Sequence, residues 1–224
     1  SYIEPNLRRT QPCLYLDLPQ GNYQFLAVAQ QRSFDELQAG PGANFTWSAP
    51  DAGDGIDDFS VSLAHQDLGN GFATVPHGNL PLDTLWHAVS ATPLYVPAEG
   101  YAYDTLSLVR DTKSISVSLR EIDRPETMDV ADYDFFIYHR DLTMAYSPAT
   151  HDLEASAQAR TAIYTPYATW NTSDTDASAA RSDAGRTAHA DFMTSRIFAH
   201  DDMADDEVLV VEHKETGKRV IEVN

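Results

Sequence analysis

Apolar residues return at every second position along much of this chain, and that period limits its fold more than any other feature. Side chains of an extended strand alternate between two faces, so one face can be buried while the other meets water. Ser114–Leu119 sets Ile115, Val117 and Leu119 on one face and serines on the other, and Phe59, Val61 and Leu63 alternate in the same way. Thr105–Arg110 is a further such run, and the short polar link Asp111-Thr112-Lys113 predicts a hairpin between it and Ser114–Leu119. Cys13–Leu18 places Leu14, Leu16 and Leu18 together, the turn residues Pro19–Asn22 follow, and Tyr23–Ala29 reads as the next strand. Asp132–Tyr138, Glu207–Val211 and Arg219–Val223 complete the set, the last after the turn Thr216-Gly217-Lys218. Helical spacing is scarce, and only the Ala-rich stretch Leu153–Ala162 predicts a short helix. The fold class expected is all-β.

At 224 residues the chain lies between one large β domain and two small ones. Arg124-Pro125-Glu126-Thr127 is the expected boundary, because proline cannot continue a central strand. Residues 1–125 and 126–224 are then an N-terminal and a C-terminal sandwich. Ala39–Asp58 and Trp170–Arg186, rich in small and polar residues, read as loops.

Thirty-four acidic against fifteen basic residues give a formal net charge of -19, which repels phosphate backbones and argues against nucleic acid as a partner. A hydrophobic fraction of 42% is enough for a real core. No apolar window approaches the ~18 residues that a membrane helix needs. Cys13 is the single cysteine and reads as a small packed residue.

The chemistry-bearing residues read as bland. Asp51, Asp54, Asp57 and Asp58 lie in a Gly-rich loop of the kind calcium uses, but their spacing misses the helix–loop–helix calcium pattern and no bidentate Glu ends it. Asp201, Asp202, Asp205, Asp206 and Glu207 read as a solvated turn ahead of a strand. Eight scattered histidines show neither HExxH nor HxH spacing. Nucleophile-elbow, P-loop and dinucleotide motifs are missing, and a glycosidase pair of carboxylates would be visible only in the fold. The sequence therefore predicts no catalytic residue, no cofactor and no tight metal site. Trp86, Tyr95, Tyr101 and Tyr103 are candidates for a sugar-stacking platform or for ordinary strand packing.

Several segments carry a resemblance. Leu18-Pro19-Gln20-Gly21-Asn22-Tyr23-Gln24-Phe25-Leu26-Ala27 resembles the LPxGxYxFxA hairpin of the FimB-type fimbrillin-associated anchor proteins of Bacteroidales-type (type V) pili. Leu85-Trp86-His87-Ala88 is similar to their LYHG-like segment, with Ala88 in place of glycine, and Leu106–Val117 to their LxRNTNxIxV stretch. Asp132–Ile137, Tyr164-Thr165-Pro166-Tyr167 and Met193–Ile197 with Val208–Val211 resemble later elements in the same order.

The resemblance implies an exported lipoprotein of two tandem transthyretin-like β-sandwiches, which anchors a pilus in the outer membrane or serves as a stalk or tip subunit. It also implies a lipid-bearing cysteine that Cys13 does not supply, and further strands after Asn224. Its partners would be other pilus subunits, joined by strand addition to an open sheet edge lined by Leu14, Leu16 and Leu18. The alternative is a carbohydrate-binding or adhesive surface module, with glycans as partners. A hydrolase ranks third.

Overall fold

The computed structural model describes residues 13–31, 45–48, 55–156, 160–173, 185–202 and 206–224. Among them there is no α-helix, and three single-turn 3-10 helices interrupt the strands. In chain order the strands are β1 (Gly21–Tyr23), β2 (Leu26–Gln30), β3 (Phe45–Ser48), β4 (Ser60–Leu63), β5 (Gln66–Gly69) and β6 (Phe72–Thr74). Next come β7 (Leu85–Val89), β8 (Leu94–Val96), β9 (Val109–Arg110), β10 (Thr112–Leu119), β11 (Tyr133–His139) and β12 (Thr143–Ser147). The last are β13 (Asp152–Ala155), β14 (Thr161–Tyr164), β15 (Ala168–Ser173), β16 (Arg186–Ser195), β17 (Val208–His213) and β18 (Lys218–Val223). The chain is all-β, as its alternation predicts.

The largest sheet runs β18-β17-β11-β14-β6-β5 and the next β13-β12-β4-β3. Two sheets of three strands, β10-β16-β15 and β2-β7-β9, and the pair β1-β8 accompany them. Strand β4 shows how the period makes a core. Val61 and Leu63 are buried with Phe59 ahead of them, while Ser60 and Ser62 stay partly exposed. In β16, Ala188, Ala190 and Phe192 are wholly buried at alternate positions. Together with Leu85, Phe135, Met144 and Leu153 they form one buried cluster.

Several sequence expectations are corrected. Cys13–Leu18 pairs with nothing among the described residues, and Leu14 and Leu16 are exposed. Alternation records an extended chain, but a strand also needs a neighbour, and β1 takes β8 as its partner instead of the leucine run. Tyr23–Ala29 is split between β1 and β2, with Gln24 and Phe25 outside both. Leu153–Ala162 is not helical where described, since β13 and β14 occupy its two ends. Part of each expected loop is strand, namely β3 in the first and β15 in the second.

The hairpin expected at Asp111–Lys113 is also absent. A tight hairpin turn favours positive φ at its centre, and none of these three residues has it. The chain instead runs straight on and changes sheets. Val109 and Arg110 pair with β7, the Asp111 amide donates to the Leu85 carbonyl at 2.8 Å, and from Thr112 the strand pairs with β16.

Pro125 opens a 3-10 turn, a place that suits a residue without an N–H. It is not a sheet boundary. β10 pairs with β16, β4 with β12 and β6 with β14, and each of these pairs joins the two sides of Pro125. Local patterning specifies which face of a strand is buried, not which strand lies beside it.

Candidate functional site

The sheet change at Asp111 is built around buried charge. His87 of β7 is buried, and its Nδ1 lies 2.8 and 2.7 Å from the two carboxylate oxygens of Asp111, which is wholly buried. Its Nε2 lies 2.5 Å from Asp152 Oδ1 on β13. Arg196 closes the group, 3.7 Å from Asp111 Oδ1 and 3.6 Å from Asp152 Oδ2. Burial alone would push the His87 pKa down, but the bonds and charges of Asp111 and Asp152 outweigh it and raise it. Asp152 shifts the other way. Burial raises it, yet the bonds from His87 and the Leu153 amide and the nearby charges hold it below the usual carboxylate range. With carboxylates on both ring nitrogens, His87 has no lone pair to offer a substrate. It clamps three sheets and is not placed to act as a base.

A second polar group adjoins the first through the backbone of Arg196. His139 ends β11, Asp141 follows in the link to β12, His200 lies after β16, and Glu207 immediately precedes β17. His139 Nε2 is 3.3 Å from Glu207 Oε1, and His200 Nε2 is 3.1 Å from Asp141 Oδ2. Burial drives the His139 pKa down to about 4, and contact with the Arg196 backbone offsets only part of that. Burial pushes Glu207 up, with the charge of Asp141 adding to it. Sequence spacing hid this group, because Glu207 is remote in the chain from His139 and Asp141. The acidic run that holds Glu207 is not wholly solvated. Asp201 and Asp202 are exposed, but the Glu207 carboxylate faces inward; Asp205 lies outside the described residues.

The other sequence candidates do not converge. Asp51 and Asp54 lie outside the described residues, and Asp57 and Asp58 are exposed in a 3-10 turn. Cys13 is exposed, not packed. Tyr101 and Tyr103 are 82% and 81% exposed, with ring centroids 6.5 Å apart. Tyr95 is also exposed and accepts a hydrogen bond from Gln20. Trp86 lies half-buried within β7.

Among the sheet edges of the described residues, β10 is the longest. It is eight residues long and terminal in its sheet, and Ser114–Leu119 contains neither charge nor proline. Its serines face out, while Ile115, Val117 and Leu119 pack partly against the core. By contrast the edge strand β18 carries Lys218, Arg219 and Glu222, and Arg219 bonds to Glu212 and Glu222. Such charges blunt an edge against pairing; β10 lacks them after Lys113, and the shorter edges β2 and β15 lack them throughout.

The family model of the fimbrillin-A associated anchor proteins Mfa1 and Mfa2 matches residues 4–224. The chain belongs to this family. Among curated proteins none matches the sequence. A candidate adhesin from Bacteroides thetaiotaomicron is similar in structure, with 24% identity and a TM-score of 0.65, over 94% of this chain and 61% of that one. A candidate polysaccharide-binding protein from the same organism shows 21% identity and a TM-score of 0.64, over 93% and 60%. The fimbrial anchor protein Mfa2 from Porphyromonas gingivalis shows 18% identity and a TM-score of 0.55, over 92% and 60%. The chain thus spans about three fifths of the length of these solved relatives. Three segments that resemble the anchor family meet in the clamp. Leu85–Ala88 supplies His87, Leu106–Val117 supplies Asp111, and Met193–Ile197 supplies Arg196.

Proposed function

We propose that this chain is a non-enzymatic structural component of a surface fimbria, an anchor or subunit that joins neighbouring subunits by β-strand addition. The family match over residues 4–224 carries the proposal. Export to the cell surface belongs to the same proposal, as does attachment to the outer membrane through a lipid. Among the described residues no helix is long and apolar enough to cross a membrane. Strand addition takes its affinity from main-chain hydrogen bonds along an edge and its specificity from alternate side chains. β10 offers both, and we assign it as the receiving edge in place of the Leu14–Leu18 run.

Proline substitution tests the assignment. Successive residues of an edge strand turn their N–H groups in opposite directions. Of Ser116→Pro and Val117→Pro, one therefore removes a group facing β16 and the other a group facing outward. The outward variant should keep the native circular dichroism spectrum and lose capture of a purified fimbrial subunit. Capture at the wild-type level by that folded variant would rule out β10.

A carbohydrate-binding role is the second reading, and the Tyr101–Tyr103 pair favours it. Two tyrosine rings so exposed bury little apolar area in the fold, whereas a sugar face could cover them. On a glycan array, a ligand bound by the wild type and lost with Tyr101→Ala and Tyr103→Ala would support it. No glycan bound by the wild type would remove it.

A further inference from the structure

We propose that His139, Asp141 and Glu207 form a binding site for a first-row divalent cation, zinc foremost, that fastens the end of β11 to the start of β17. Ligand atoms of His139, Asp141 and Glu207 all lie within 4.8 Å of one another. His200 stands behind Asp141, its Nε2 3.1 Å from Asp141 Oδ2, and orients that carboxylate. Around tetrahedral zinc, with bonds of about 2.0–2.1 Å, neighbouring ligand atoms are about 3.3–3.4 Å apart. His139 Nε2 and Glu207 Oε1 stand at 3.3 Å, so the pair already has the spacing of a ligand edge.

The second observation is independent of that spacing. His139 Nε2 and Glu207 Oε1 are both buried and, apart from the Arg196 backbone beside His139, which is too poorly aligned to bond, neither has a hydrogen-bond partner. The His139 side chain is 0% exposed and that of Glu207 14%. Buried polar atoms are normally satisfied, and two orphans turned toward each other point to a group that bonds both. One imidazole with two carboxylates makes a mixed nitrogen and oxygen donor set, softer than the all-oxygen shell that calcium prefers. The cation would also supply positive charge to two carboxylates held largely out of water.

The ring proton sets a condition on loading. The Asp141 amide donates to His139 Nδ1 at 2.8 Å, so the neutral ring carries its proton on Nε2. A cation at Nε2 takes that position, the proton moves to Nδ1, and the Asp141 amide must turn away. Loading therefore has a local signature, a shifted Asp141 amide resonance.

The test begins with chelator-stripped protein titrated with zinc by calorimetry and with cobalt(II) by visible absorption. The expected result is one equivalent per chain, with tetrahedral cobalt bands and the Asp141 shift. Glu207→Gln and Asp141→Asn should each weaken uptake by more than about 100-fold, beyond the loss typical of a mere outer-shell partner. His200→Gln removes the partner that orients Asp141 and should weaken uptake by about 10–100-fold; His200 is a fifth exposed, so this variant should fold even if the others do not. No uptake by the wild type would overturn the proposal, and would leave Nε2–H facing Glu207 as a poorly aligned donor. Uptake that is unchanged in a folded variant would overturn it equally, by placing the cation elsewhere.

Discussion

Asp111→Ala should lower stability by about 3–5 kcal/mol, the usual cost of taking one partner from a buried ion pair. The carboxylate is wholly buried and faces His87 and Arg196. Arg196 is partly exposed and can turn toward water, and Asp152 is 40% exposed, but His87 is enclosed and keeps its charge uncompensated on one side. The loss should therefore be concentrated on His87. Replacing both members, with Asp111→Leu and His87→Phe, should recover a large part of it, because apolar groups of similar volume carry no desolvation penalty. Denaturant titration of Asp111→Leu, His87→Phe and the double variant gives the coupling directly. A cost below about 1 kcal/mol for Asp111→Ala would be that of a surface pair and would refute the clamp.

The same group fixes a pH dependence. The folded pKa of His87 is raised above its ordinary 6.5, so its contribution is complete below that pH and is lost as pH rises through the raised value. For Asp152 the sign is reversed. Its contribution is present above the ordinary 3.8 and is lost as pH falls through the depressed value. Melting temperature should fall on the alkaline side in the wild type, and His87→Gln should remove that slope.

The parts of the fold readable in advance were those set by a single strand. The faces of β4 and β11 follow from Val61 and Leu63 and from Phe135 and Ile137, because burial of alternate side chains is a local property. The turn before Arg219 was equally readable, since Gly217 takes a positive φ that suits glycine. What was not readable depends on partners far away in sequence. Ser114–Leu119 has the same pattern whether it folds back on Thr105–Arg110 or lies beside β16. Asp111 looks like a turn residue until His87 and Arg196 come to face it. His139, Asp141 and Glu207 form a group only after β11 and β17 pair, Tyr133 with His213 through Tyr138 with Val208. The resemblance reached further than the pattern here, because its segments hold His87, Asp111 and Arg196. Alternation gives no reason for polar side chains at buried positions, and that mismatch was the available signal.

Phe192→Ala should cost about 3–5 kcal/mol, the range for emptying a buried aromatic position. For a chain of this size that corresponds to a fall in melting temperature of about 6–20 °C. Phe192 is 0% exposed, lies on the central strand of β10-β16-β15, and pairs across to Ile115. Its side chain belongs to the cluster that also holds Val61, Leu63 and Leu85 from before Pro125 and Phe135, Met144 and Leu153 from after it. A cavity there is felt on both sides of the proline. If the shared sheets bind the chain into one cooperative unit, hydrogen exchange in the variant should speed up together in β4, β7, β11 and β17. Two independent sandwiches divided at Pro125 would respond differently, with protection lost after the proline and kept in β4 and β7. The decisive segment is β4, because its ladder to β12 crosses the proline while Val61 and Leu63 lie wholly before it. Amide protection at Val61 that survives Phe192→Ala unchanged would mean that this ladder does not couple the two halves. Protection lost there in step with Val211 would show that pairing across Pro125 makes the chain a single unit.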